Sequence, residues 1–467
     1  MKPPFDHQLK AVEFFKKRGY IGGLYWEMGC GKCRAVIETF KCLRKEDHTV
    51  KMVVVAPLSI LESGWGDDIK SFSEFTYFNA HDSMVPFNLK EDILLVNFES
   101  MAQKKNVHIT KHIRTNLLVV DESSKMKNHK TITTKTLLSW QSLPKYKIIM
   151  SGTPAPNNPI EYWGQIEFLH EWTLHKSFFA FRNTYFHLQR GSQVMPLQRG
   201  QLVSKQFMRE VLSQGWKYEI TKDNLAKLMN QINPLVFWLK KDECLSLPDQ
   251  VDEVRLVELG VKQRKIYNEM KNDLITEIKN TMITAQLALA KCMKLREITS
   301  GFAIDVDSNA VDIGECPKMQ ELLDVIEESG DHQIIIWACF KWDIEQIFSV
   351  LEEKYGLGCV RTLYSATKDH MASINDFKGN RARFLVANQA SAAHGLTFVN
   401  CSLQIFFSID YSLERYEQAK ARIHRAGQTK SCTYIHLIAK NTIDEQILKV
   451  LRDKGNINQV VYELLRR

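Results

Sequence analysis

The chain has 467 residues, 44% of them apolar and 25% charged, which excludes a low-complexity or wholly disordered polymer and suits a protein with sizeable cores. The 62 Lys and Arg against 54 Asp and Glu leave +8, an excess that permits an anionic partner without specifying one. Ten cysteines are too few for a disulfide framework and fit a reducing compartment. The start, Met1 to His7, lacks the apolar stretch of a signal peptide, and no run approaches the ~20 residues of a spanning helix. A soluble, cytoplasmic protein with no membrane partner is the expectation.

Short apolar runs at Ile21–Tyr25, Met52–Ala56, Ile93–Asn97, Leu117–Val120 and Lys147–Met150 alternate with helical patterns such as Lys32–Arg44. Continuous apolar runs of this length are what parallel strands covered on both faces require, so residues 1–165 read as a doubly wound α/β domain. A second set lies at Ile334–Cys339, Val360–Leu363, Phe384–Ala387, Leu403–Ser408 and Tyr434–Ile438, with helical patterns at Met319–Glu328, Trp342–Lys354 and Glu414–Ala421. Residues 316–467 therefore read as a second α/β domain. The stretch 166–315 between them reads as a mainly helical, basic insertion and linker, for example over Gln263–Leu295. Within it Lys176, Arg182, Arg190, Arg199, Lys205, Arg209 and Lys217 face a single acid, Glu210, with aromatics interleaved.

Glu27-Met28-Gly29-Cys30-Gly31-Lys32 falls between a strand and a helix. Glycines let successive N–H groups converge on one anion, the helix start adds its dipole, and Lys32 reaches terminal phosphates. Met28, Gly29, Cys30, Gly31 and Lys32 are thus candidate phosphate ligands. The next residue is Cys33, where a Ser or Thr hydroxyl usually meets Mg²⁺; a soft thiol suits that hard cation poorly. Asp121-Glu122 ends the strand Leu117–Val120. An Asp there can hold Mg²⁺, and the adjacent Glu can orient water and accept its proton, although such a pair alone is often a helix cap. Ser151-Gly152-Thr153-Pro154 follows another strand and can relay the state of the terminal phosphate. Arg422 and Arg425, three apart, would share one helix face and supply cations to developing charge.

In this order the motifs resemble helicase superfamily two, specifically its SWI/SNF-like branch of double-stranded DNA translocases, over nearly the whole chain. Pro4-Phe5-Asp6-His7-Gln8 resembles the adenine-reading motif, with Gln8 as reader, and Glu27–Cys33 resembles motif I. Val54–Ser59 with Trp65 is similar to motif Ia, and Asp121 to Asn128 to motif II, with the Lys-Asn tail that marks this branch. Ser151–Pro154 with Asn157, Asn158, Glu161 and Trp163 resembles an extended motif III. Leu295–Ile298 and Pro317–Met319 resemble segments leading into the second lobe. His394-Gly395-Leu396-Thr397 resembles motif V, Gln418 to Gln428 motif VI with Arg422 and Arg425 as arginine fingers, and Thr442–Ile447 the closing helix.

The resemblance implies two RecA-like lobes with ATP and Mg²⁺ between them and DNA across both. It implies nucleotide contacts at Gln8, Gly395 and Gln418, and nucleic-acid contacts at Ser59, Trp65, Lys125, Lys127, Asn128 and Thr397. Arg182 and Arg190 are added from the basic insertion. The chain departs from the pattern at Cys33, at Ser123-Ser124 in place of Ala-His, at Ala392-Ala393 in place of Gly-Gly, and at Ala421 where Asp is common. The leading expectation is a compact, monomeric DNA-stimulated ATPase of bacterial or phage type that moves along duplex DNA without separating it, with a partner protein to supply targeting. A nucleotide-gated DNA scaffold weakened by Cys33 and an RNA helicase are the alternatives.

Overall fold

The computed structural model describes residues 3–81, 84–101, 108–114, 116–190, 193–196, 216–244, 247–280, 285–305, 309–390 and 396–453. It divides into two compact units, Met1–Ser246 and Leu247–Arg467.

The first unit is built on a parallel seven-stranded sheet. Its strands are β1 (Ile21–Trp26), β2 (Met52–Ala56), β3 (Tyr77–Asn79), β4 (Ile93–Asn97), β5 (Leu117–Asp121), β6 (Tyr146–Ser151) and β10 (Val236–Leu239), in the order β10-β1-β6-β5-β2-β4-β3. The five apolar runs read from the sequence are strands here, and β2, β4 and β5 are buried along their whole length. Helices α1 (Asp6–Lys16) and α2 (Lys32–Glu46) pack with one face of the sheet, where Phe15, Phe40, Trp26 and Met52 meet. The opposite face carries Tyr25, Val53, Val120 and Ile149 and is covered by residues such as Trp163, Phe168 and Phe181. Burial on both faces is why these strands lack alternation. Register places Tyr25 beside Ser151 and Asp121 beside Met150, so the carboxyl ends of β1, β6 and β5 lie side by side. In open parallel sheets that edge holds the ligand.

The second unit has a parallel six-stranded sheet in the order β11-β18-β17-β14-β16-β15. Its strands are β11 (Gln250–Val257), β14 (Ile334–Ala338), β15 (Val360–Leu363), β16 (Phe384–Asn388), β17 (Leu403–Phe406) and β18 (Cys432–Ala439). Two doubly wound parallel-sheet lobes are therefore present.

The stretch 166–315 contributes to both units. Strand β10 pairs with β1, while β11 pairs with β18 along eight residues. The stretch also carries a small antiparallel sheet of β7 (Phe186–Arg190), β8 (Gln193–Pro196) and β9 (Lys217–Ile220), and a hairpin of β12 (Phe302–Ile304) and β13 (Ala310–Asp312). Helices Val261–Asn280 and Ala285–Thr299 occupy most of the expected helical run.

Candidate active site

The phosphate loop follows β1 and ends where α2 begins at Lys32. Gly29 and Gly31 have φ of +90° and +74°, a region that a β-carbon disfavours, so both glycines are required by the turn. Helix α1 grips the loop from outside. The Gln8 carboxamide donates to the Gly31 carbonyl at 3.1 Å, and a ring nitrogen of His7 lies 2.9 Å from the Cys30 carbonyl. A β-carbon at Gly31 would lie 2.4 Å from Gln8 Nε2. The Lys32 ammonium donates to the Trp26 carbonyl at 3.0 Å, which curls it back over the loop.

The two acids stand at the end of β5. Asp121 is 4% exposed. Its Oδ2 accepts the Trp65 indole N–H at 2.9 Å, and its Oδ1 accepts the Glu122 amide at 2.9 Å. The Cys33 thiol also donates to Oδ2, at 3.9 Å. Burial raises the Asp121 pKa, opposed by Lys32 and by these donors. Glu122 takes φ +52° and ψ +54°, a strained left-handed conformation for a residue with a side chain. It directs the chain into the short turn Ser123–Met126.

The turn after β6 closes the third side. A β-carbon at Gly152 would lie 2.8 Å from the Met28 side chain and 3.6 Å from Lys32 Nζ, so this turn lies directly against the phosphate loop. The Thr153 hydroxyl is buried and finds no hydrogen-bond partner among the described residues. Gln165, which the sequence reading missed, lies behind these loops, fully buried in the helix Trp163–Leu169. Its Oε1 accepts the Ser123 hydroxyl at 2.7 Å and the Tyr25 hydroxyl at 3.2 Å. Its Nε2 donates to the carbonyls of Pro154 at 2.6 Å and Glu161 at 3.2 Å. The signal available was a polar amide between the apolar residues Trp163 and Ile166.

The donor set fits a magnesium nucleotide. It combines a glycine-cradled turn at a helix start, a lysine, a buried carboxylate for a hard cation, and a buried hydroxyl with unused capacity.

In the second unit the helix Leu413–Lys420 ends before Arg422, so the two arginines do not share a helix face as expected. They converge through a backbone atom instead. Arg422 and Arg425 donate to the Leu396 carbonyl at 3.0 and 3.1 Å, and Arg422 Nε donates to the Gln418 carbonyl at 2.9 Å. Arg422 is buried and Arg425 half-buried. Gln418 is buried with its Oε1 unpartnered among the described residues. Thr397 is half-buried beside Leu396, and Gly395 lies outside the described residues.

Among the expected nucleic-acid contacts, Ser59, Lys125, Lys127, Asn128 and Arg190 are exposed. Two others are corrected. Trp65 is fully buried and holds Asp121, so its ring offers no surface to a polymer. Arg182 is buried, donates to the Tyr218 hydroxyl and to Asn183 Oδ1, and lies 5.3 Å from the centre of the Phe179 ring. It ties the helix Phe178–Tyr185 to β9. Arg199, Lys205 and Arg209 lie outside the described residues. Phe181, Tyr185 and Phe186 are core, and Phe178 stacks on His129 at 3.7 Å.

The family model "SNF2-related domain" matches residues 7–301, and the model "Helicase conserved C-terminal domain" matches residues 317–427. A putative protein, p41, of Acyrthosiphon pisum secondary endosymbiont phage 1 is 23% identical over 463 residues, covering 94% of each chain. An uncharacterized ATP-dependent helicase of Mycoplasma genitalium is 24% identical over 96% of this chain and 41% of its own length. The SWI/SNF chromatin-remodeling complex subunit snf22 of Schizosaccharomyces pombe is 24% identical over 98% of this chain and 28% of its own length. The chain thus spans nearly all of the phage protein but less than half of the other two. Among solved structures, the Sulfolobus solfataricus SWI2/SNF2 ATPase core in complex with dsDNA is 21% identical, with a TM-score of 0.45 over 97% of this chain and 91% of that one.

Proposed function

Because this chain belongs to the SNF2-related family, and so to the ATP hydrolases of helicase superfamily two, we propose that it is an ATP-driven motor on double-stranded DNA. The observation that carries the reading is the meeting of the phosphate loop, Asp121-Glu122 and the Ser151–Pro154 turn at adjoining strand ends of one sheet. Met28 to Lys32 would bind the ATP phosphates, and Gln8 would serve as adenine reader while bracing the loop. Mg²⁺, when bound, supplies charge neutralisation at the phosphates, and Asp121 is the residue to hold it. Glu122 orients the attacking water and accepts its proton. Arg422 and Arg425 would act from the second unit, with Gly395 and Gln418 completing its nucleotide contacts.

The motor tracks along duplex DNA without separating the strands, through Ser59, Lys125, Lys127, Asn128, Arg190 and Thr397. It acts as a monomer in the cytoplasm, and a partner protein supplies targeting. Among the described residues no helix is long and apolar enough to cross a membrane. A second reading, a nucleotide-gated scaffold with weak turnover, is favoured by one contact: the Cys33 thiol stands where a hydroxyl would face the cation, 3.9 Å from Asp121.

Steady-state ATP turnover with duplex, forked and single-stranded DNA, with RNA, and with no polymer tests the proposal. Strong stimulation by duplex DNA is expected. Stimulation by RNA alone would make it an RNA-directed enzyme. ATP binding without turnover under any condition would make it a scaffold.

A further inference from the structure

We propose that Gln165 is a positioning residue for ATP hydrolysis, its carboxamide holding the turn that carries Glu122 at a fixed distance from the Ser151–Pro154 turn. The inference rests on the hydrolytic reading of the site.

The amide has two donor hydrogens and an acceptor oxygen with two lone-pair positions, and the four hydrogen bonds to Ser123, Tyr25, Pro154 and Glu161 use them all. The partners fix its orientation. Two carbonyls require the NH₂ group on one side, so a flipped amide would set its oxygen against both. Burial removes water as an alternative partner. The side chain therefore has one arrangement, and β1, the turn after β5 and the turn after β6 are registered to it.

Ser123 makes this matter for chemistry. It follows Glu122, whose left-handed backbone must be held by its surroundings. On one side the Glu122 amide is held by Asp121 Oδ1; on the other the Ser123 hydroxyl is held by Gln165. The same amide then grips Pro154, two residues after the glycine that abuts Met28 and Lys32. Tyr25 touches the amide from within β1 through its hydroxyl alone; its backbone pairs with Ser151, and Tyr25→Phe keeps that pairing, so loss of the hydroxyl acts directly on neither the acid pair nor that turn.

This asymmetry gives the test. Ser123→Ala and Tyr25→Phe each delete one hydroxyl from the same Gln165 oxygen, so both should lower the melting temperature by similar amounts. Only Ser123→Ala should lower kcat, by about tenfold, since misplacement by about 1 Å costs up to about 10²-fold. Its nucleotide Kd should stay within twofold. Gln165→Leu should lower kcat at least as far, and Ser123→Ala added to it should cost nothing more. Equal kcat losses in Ser123→Ala and Tyr25→Phe, or full kcat in Ser123→Ala, would overturn the proposal even if Gln165→Leu fails to fold. Lys32→Ala in the same assay separates the premise: full turnover there would remove the hydrolytic reading itself.

Discussion

The indole N–H of Trp65 donates to Oδ2 of Asp121 at 2.9 Å, with both side chains buried. The tryptophan expected to meet DNA instead orients a carboxylate. Trp65→Phe keeps an aromatic ring but removes the N–H donor, leaving a buried carboxyl acceptor short of one bond, which costs about 1–3 kcal/mol. Turnover should fall several-fold while affinity for duplex DNA stays within twofold. A large loss of DNA affinity at unchanged turnover would return Trp65 to the DNA surface.

Arg182 and Arg190, the arginines of the basic segment that lie among the described residues, should separate in the same way. Arg190 is exposed at the end of β7, and its loss should lower the slope of log affinity against log salt by about 0.9 if it meets a duplex phosphate. Arg182→Ala should leave that slope unchanged and lower stability by about 1 kcal/mol, because the buried guanidinium's hydrogen bonds to the half-buried Tyr218 and Asn183 are lost. The reverse assignment of effects would show that the segment rearranges on DNA.

The cysteines give a third prediction. Cys33→Thr should raise turnover or lower the Mg²⁺ concentration for half-maximal rate, and Cys33→Ala should change little. In the phosphate loop, the Cys30 sulfur lies 3.6 Å from that of Cys244. Burial pushes the Cys30 thiol up to about 12, so oxidation should be slow. Prolonged treatment with a thiol oxidant, followed by peptide mapping without reductant, should join Cys30 to Cys244. A Cys30–Cys33 bridge would contradict this pairing.

Asp343, in the second unit, sets a pH dependence. It accepts the Ser408 hydroxyl at 2.7 Å and the Ser300 hydroxyl at 3.2 Å, yet burial pushes its pKa to about 7 against the attraction of Lys318 and Arg296. The folded state thus keeps a proton that the unfolded chain releases near pH 4. Stability from this group is complete below about pH 4 and is lost as pH rises towards about 7, at up to about 1.4 kcal/mol per unit. Asp343→Asn should gain on wild type across that window in urea unfolding. Parallel pH profiles would show that Asp343 stays ionised.

Much of this was legible in the sequence because its causes are local. Ten apolar runs became strands since both sheet faces are buried, and the phosphate loop announced itself through glycines that its own turn requires. The edge strand β11 was not legible: it exposes Val251 and Leu256 and alternates them with charge. Nor was β10, four residues that become a strand only by pairing with β1, some 210 positions earlier. Motif resemblance located Trp65, and the basic composition of the insertion located Arg182, but neither showed their burial. Gln165 escaped because its partners Tyr25 and Ser123 are distant in sequence and meet it only in the folded unit.

The most direct test of the central claim is displacement of a third DNA strand from a duplex, run beside a forked duplex, with wild type and Glu122→Gln. Wild type should release the third strand only with ATP and leave the fork paired, and Glu122→Gln should bind ATP and release nothing. Release by Glu122→Gln equal to wild type, or vigorous hydrolysis by wild type with no release, would contradict an ATP-driven duplex motor.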